Sequence, residues 1–278
     1  MSRRQQPLPR FRRATDDTLP SFRYQTERDS RIEALIDDYG IIRSDHLKHL
    51  APGSPAQNLR RFQKLFHHRH INRFERDRLP FNHPIVYTRK DPRLVSDLYL
   101  KHTLAISHFR FALSMAVRET PGASLLDWWA EGAVQERVSY LSSSRQYTKV
   151  IKPDVVFSIA YRDEVVGGFV EVDRTTISGT TKLSGRLFRR YEAYWHYWRQ
   201  KLYRERFGFT SVRVFTVTIS EARKENFRAM AGRAGEQKRG SNLFWFTPIA
   251  SYADDPLALL RAVWQTPRDD EYRALIPC

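Results

Sequence analysis

The stretch KPDVVFSIAYRDEVVGGFVEVDRTT, residues 152–176, constrains this chain more than any other. Two apolar, β-branched runs flank a short polar turn, the pattern of adjacent antiparallel strands. Asp154 opens the first strand directly after Pro153, and Glu171 stands at the exit of the second, so both acids reach one edge. The period of two along a strand puts Glu171 and Asp173 on the same face. Carboxylates gathered in this way can hold Mg2+ or Mn2+, which polarises a phosphate and activates a water. The plainer alternative is a hairpin with charged ends. Pro-Asp is a turn dipeptide, and Asp173-Arg174-Thr175-Thr176 could simply cap the next helix.

The flanking segments give the hairpin a setting. A long helix follows Pro92-Arg93, with Leu94, Leu98, Leu104, Phe111 and Met115 as buried candidates, and a strand surrounds Trp128 and Trp129. After the hairpin come a long helix over 182–206, the apolar strand SVRVFTVTIS, the helix EARKENFRAMAGRAG, the strand NLFWFTPI and a closing helix in DDPLALLRAVWQT. The order is α-β-β-β-α-β with an appended α-β, over residues 94–278. It is similar to the core of restriction-endonuclease-like, PD-(D/E)xK, domains. In that signature the second acid is followed by x-Lys, whose charge stabilises the phosphorane-like transition state. Here Asp173 takes that place. Lys182, at the start of the next helix, is the best substitute, with Arg174 and Arg186 behind it. The enzyme reading therefore assigns Asp154 and Glu171 to the metal, Asp173 to a further metal or water contact, and Lys182 to transition-state charge. Glu131 or Glu136 offers another ligand.

Residues 26–93 carry a different pattern. DSRIEALIDDYG repeats apolar residues at helical spacing and ends on Gly40; Ser44 offers a cap for a second helix; Ser54 and Pro55 open a third, with Leu59, Phe62 and Phe66 on its inner stripe. INRFERDRLPFNHPIVYTR then reads as a hairpin. Three short helices and a hairpin make a winged helix-turn-helix, whose third helix can fill a major groove. The candidate DNA contacts are Arg60, Arg61, Lys64 and His67 on that helix, and Arg73, Arg76 and Arg78 on the hairpin. A solvated basic face on a dimerising winged helix is the rival account. His67, His68 and His70 do not read as a metal site, because neighbouring positions on a helix point apart and no acid or cysteine completes a tetrahedral set.

A formal charge of +16, spread along the chain, makes DNA the leading partner and an acidic membrane surface the weaker one. The Arg-rich, Pro-rich residues 1–25 read as a disordered arm. They lack the apolar core of a secretory signal, and no run reaches the ~18 apolar residues of a membrane helix, so the cytoplasm is the expected location. One cysteine, Cys278, excludes an internal disulfide framework. In the long basic helix, Arg189 and Arg190 are further DNA candidates, while its many aromatics are better explained as the face that covers a sheet.

YLKHTLAISHFRFAL, LLDWWAE, KPDVVFSI, GFVEVDRTT and the Lys182 to Tyr191 helix together resemble, in order, the replication-relaxation family of plasmids, conjugative elements and phages. The resemblance implies a DNA-binding protein of a mobile element, acting in replication, relaxation or mobilisation. Its nuclease-like domain either is a Mg2+-dependent endonuclease or serves as a non-catalytic regulator or relaxosome accessory. A homodimer, a relaxase and replication proteins are the further candidate partners. Asp at position 173 is then the family's own pattern.

Overall fold

The computed structural model describes residues 12–14, 26–80, 82–174, 181–234 and 242–276, of which 181–184 by backbone alone. The chain divides between His108 and Phe109 into two compact units. Among the described residues no helix is long and apolar enough to cross a membrane.

The first unit begins with α1 (Glu27–Tyr39), β1 (Ile41–Arg43), α2 (Ser44–Leu50) and α3 (Pro55–His67), and continues through β2 (Asn72–Arg73) and β3 (Val86–Thr88) to the start of α4 (Asp97–Arg118). Helix α1 starts ahead of the expected Asp29-Ser30 because Thr26 and Asp29 form a reciprocal capping box: each side chain takes the other's backbone N–H. Gly40, at a φ of 68°, ends it. Ser44 is the first helical residue of α2 rather than its cap; Arg43 holds the cap position and pairs with Asp45 at 2.5 Å. Ser54 caps α3 with Pro55 in its first turn, as the sequence predicts.

Ile32, Ile36, Leu47, Phe62, Leu65, Phe66 and Tyr87 fill the core of this unit. Leu59, expected on the inner stripe, is exposed, because Phe62, Leu65 and Phe66 already occupy that face. Strand β1, too short to leave a periodic signal, pairs antiparallel with β3, and the small sheet runs β1-β3-β2. The expected hairpin has only two and three paired residues on its arms, with a 3-10 turn at Arg76–Arg78 between them. Leu94 and Leu98, expected inside, are 86% and 75% exposed; Leu100 is the residue buried there. Of the expected disordered arm, Arg13 is described and docked. It donates to the Phe66 and Ile71 carbonyls and to Asn72 Oδ1, and so satisfies an end carbonyl of α3. The other residues of 1–25, Arg12 and Ala14 apart, lie outside the described residues.

Within the same unit, His46 and His108 are buried with ring nitrogens 3.2 Å apart, an arrangement in which the accepting nitrogen must carry no proton. Burial, above all, holds the His46 pKa down at about 3; Asp45 opposes this, while Arg43, His108 and His83 add to it. The unfolded chain takes up this proton near pH 6.5, so stability present above about 6.5 is lost as pH falls toward 3. Thermal midpoints of the chain should decline over that window, and His46→Gln should flatten the decline.

The second unit holds β4 (Ala123–Trp129), β5 (Glu136–Ser142), β6 (Arg145–Ile151), β7 (Val155–Tyr161), β8 (Glu164–Asp173), α5 (Thr181–Arg199), α6 (Leu202–Phe207), β9 (Ser211–Thr218), α7 (Glu221–Ala231), β10 (Phe244–Pro248), β11 (Trp264–Thr266) and β12 (Asp269–Arg273). Its main sheet has seven strands in the order β12-β11-β10-β9-β8-β7-β4. β8 is antiparallel to β7 and parallel to β9, which is parallel to β10. The mixed α/β class therefore holds, with three departures from expectation.

First, β5 and β6 form a separate two-stranded ribbon between the first two sheet strands. Second, the long basic helix breaks at Lys201, in left-handed conformation, into α5 and α6. Third, the expected closing helix is a 3-10 turn at Pro256–Leu260 followed by the β11–β12 hairpin. Trp264 is fully buried against Phe215, and Gln265 takes the buried Lys224 ammonium, so tertiary partners decide a segment whose apolar spacing suited either state.

The glycine pair in β8 lets the sheet be covered by rings on both faces. A Cβ on Gly167 would overlap Phe209, and one on Gly168 would overlap Phe157 and press on Phe215. Since successive residues face opposite sides, each glycine admits a different ring. Gly168→Ala should lower stability by about 1–3 kcal/mol in denaturant unfolding, the usual cost of overpacking a close-packed core.

Candidate functional site

On the first unit, most candidate DNA contacts are engaged within the fold. Arg61 is bound to the buried Asp29. His67 is buried and its Nδ1 accepts the Ala14 N–H at 3.0 Å. Arg73 is buried with its guanidinium 4.1 Å from the centre of the Phe66 ring and donates to the Tyr87 hydroxyl. Arg76 donates to the His83 carbonyl; Arg78 binds Asp97 and the carbonyls of Pro92 and Val95. Arg60, exposed, and Lys64, half-buried, have no hydrogen-bond or ion-pair partner among the described residues and remain the cations that α3 can offer.

On the second unit, the register of the sheet builds the acidic end. The Asp154 backbone N–H donates to the Val170 carbonyl, and its carboxylate accepts the Val172 N–H at 2.7 Å, so the residue extends the β7–β8 ladder by one side-chain bond. A Glu131 oxygen lies within 4.8 Å of an Asp154 oxygen. Glu136, the other further ligand considered, instead pairs with Arg206 of α6 at 3.2 Å.

Glu171 is 7% exposed and held at both oxygens. Oε1 accepts the Tyr194 hydroxyl and Oε2 accepts Arg190, each at 2.7 Å. Arg190 and Tyr194 are four residues apart on α5, so one helix face supplies both donors. Glu171 raises the Arg190 pKa; burial, then Glu171, drives the Tyr194 hydroxyl well above its ordinary value and keeps it a proton donor. Asp154 contributes to the field at both groups. Asp173, on the same strand face as Glu171, is bound at 2.6 Å by Arg223 of α7, with both side chains mostly buried.

Cations thus do stand beside these acids, but they are arginines delivered by helices. Arg190 was expected to touch DNA, and Arg223 was not singled out. The spacing of Arg190 and Tyr194 on one face was a signal for the first; the second becomes visible only once α7 packs over the sheet. The Lys182 side chain lies outside the described residues. Arg174 is partly buried, and burial lowers its pKa.

Asp154 and Glu131 are oxygen donors suited to Mg2+ or Mn2+, whereas Glu171 could join them only by sharing oxygens that Tyr194 and Arg190 already occupy.

Beside this end, β6 and α5 enclose a cleft of about 810 Å3 lined by Lys149, Lys152, Arg186, Arg189, Arg190 and Glu171, among others. The aromatics of α5 and α6 fall where the covering-face account puts them: Tyr191, Tyr194, Tyr197 and Tyr203 are buried, and Trp198 is 39% exposed.

The replication-relaxation family model matches residues 34–212. The chain belongs to the replication-relaxation family. The match spans α3, the β7–β8 hairpin and the whole of α5, and so includes Asp154, Glu171, Arg190 and Tyr194; it stops before Arg223. No curated protein and no solved structure matches the chain.

Tyr194→Phe removes one donor from a buried carboxylate without opening a cavity. It should cost about 2 kcal/mol in denaturant unfolding, the usual worth of a hydrogen bond to a charged group.

Proposed function

We propose that this replication-relaxation protein is a DNA-binding protein of a mobile genetic element, acting in its replication, relaxation or mobilisation. In this reading the first unit is a winged helix-turn-helix that presents Arg60 and Lys64 of α3 to duplex DNA, and the second is a restriction-endonuclease-like domain that grips DNA. The observation that carries it is the clasped state of the acidic strand ends. Both oxygens of Glu171 and one of Asp173 are bound by groups from the covering helices, beside a cleft rich in cations. Such a site attracts phosphate while offering little open carboxylate. The charge of +16 supports the same partner.

A second reading, Mg2+-dependent cleavage, is favoured by the approach of Glu131 to Asp154. A bound Mg2+ would supply Lewis acidity toward the phosphate and a more acidic water. Asp154 and Glu131 would hold it, and Arg190, beside Glu171, would be the cation to offset charge on the phosphate.

Electrophoretic shift with the full chain should give DNA binding that falls steeply with salt, and Arg60→Glu with Lys64→Glu should weaken duplex binding about ten-fold or more and lower the salt slope by about 2. No binding at low salt would sink the DNA reading. With Mg2+ or Mn2+, supercoiled plasmid should stay intact; nicking by the wild type that Asp154→Ala abolishes, at unchanged affinity, would replace gripping with cutting.

A further inference from the structure

The β5–β6 ribbon takes no part in the main sheet, yet it is fastened along α5. The buried Glu192 of α5 accepts the Tyr140 hydroxyl at 3.2 Å and the Ser142 hydroxyl at 2.5 Å, and is paired with Arg189 at 2.7 Å. The Tyr140 ring stacks on His196 at 4.3 Å, and Arg189 lies 4.2 Å from the centre of the Tyr147 ring and donates to its hydroxyl. Gln200 donates to the Ser139 carbonyl. Seven pairs, from Glu136↔Ile151 to Ser142↔Arg145, join the two strands, so the ribbon is a fixed wall.

Its register also says where the lysines go. Tyr147, Lys149 and Ile151 share one face of β6, opposite Tyr140, Val138 and Glu136 of β5, and this is the face that packs on α5. Lys149 is thereby aimed into the cleft, with Lys152 just beyond the strand end and Arg186 across from them on α5. Arg189 and Arg190 are already matched by Glu192 and Glu171. Lys149, Lys152 and Arg186 have no hydrogen-bond or ion-pair partner among the described residues. Three exposed cations from two walls line one cleft, so an anion seated there would meet several positive charges at once. The volume suits a small ligand or a short stretch of one strand rather than a whole duplex.

We propose that the cleft between β6 and α5 is a phosphodiester seat in which Lys149, Lys152 and Arg186 hold the backbone of one DNA strand, with Arg190 linking that seat to Glu171. The inference rests on the DNA-binding reading above and gives it a second contact surface, distinct from α3. The held strand is either an unpaired one or one edge of a duplex; the chemistry of recognition is the same.

Fluorescence anisotropy of the full chain with a labelled oligo-dT and, separately, with a labelled duplex tests it. Lys149→Glu with Lys152→Glu, both exposed positions, should leave the thermal midpoint unchanged. The pair should weaken at least one probe about ten-fold or more and reduce its salt slope by about 2, one unit per lost phosphate contact. Lys149→Arg with Lys152→Arg should retain affinity. Loss confined to oligo-dT assigns an unpaired strand, and loss confined to the duplex assigns a duplex edge. If the charge reversals leave both probes bound as tightly as the wild type while Arg60→Glu with Lys64→Glu weakens the duplex, the seat is wrong and DNA binding through α3 stands. If the wild type binds neither probe, both readings fall.

Discussion

A carboxylate taken out of water must keep partners, and Glu171 sets the terms on which α5 lies over the sheet. The acid sits near the end of the interior strand β8, where closing the helix removes most of its solvent. Removing that hydration is costly unless charge and hydrogen bonds are returned. Arg190 and Tyr194 return both, from one face of one helix, and this fixes the rotation of α5 about its axis as well as its position. The rotation then sends Tyr191 into the core, against Phe244 and Phe246, and turns Arg189 and Glu192 toward the β5–β6 ribbon. One buried charge therefore organises a helix, the core beneath it and the ribbon beside it.

The many cations of this chain divide by the company they keep. Arg61, Arg73 and Arg78 are structural, each consumed by an acid, a ring or a run of carbonyls. Arg190 and Arg223 neutralise strand-end acids. Among the described cations that no acid or carbonyl of the fold engages are Arg60 and Lys64 on one unit and Lys149, Lys152 and Arg186 on the other. Formal charge overstates the binding surface because guanidinium groups are good internal cross-links: their planar fork meets a carboxylate or several carbonyls at once.

The parts legible in the sequence are those whose cause is local. Ser54-Pro55 opens α3, Gly40 closes α1, and the Pro-Asp and Glu-Val-Asp ends of the β7–β8 hairpin stand as the apolar runs predict. The α/β class and the family followed from the order of such segments. The β5–β6 ribbon was missed although its alternation was present, because its turn, Ser143-Ser144 in left-handed conformation, has none of the glycine or asparagine that usually marks one. The segment DDPLALLRAVWQT, which ends in β11, reads as a helix because the strand's identity depends on Trp264 reaching Phe215, a distant partner. The acids of the candidate site were visible for a local reason as well. Of their clasping arginines, Arg190 shares a helix face with Tyr194, whereas Arg223 has no local signal, since it comes from an element fifty residues further along the chain.

The pairing of the strand-end acids with helix-borne arginines has a chemical consequence. An ammonium group can lose its proton when buried and so can take one from a water; a guanidinium keeps its charge at any pH the fold survives. Arg190 and Arg223 can therefore anchor, orient and neutralise, but neither can serve as a base. Any proton leaving a reacting water at this end of the sheet would have to pass to a group other than these two arginines. The charge that these two arginines bring to the acidic edge is therefore the same at every physiological pH.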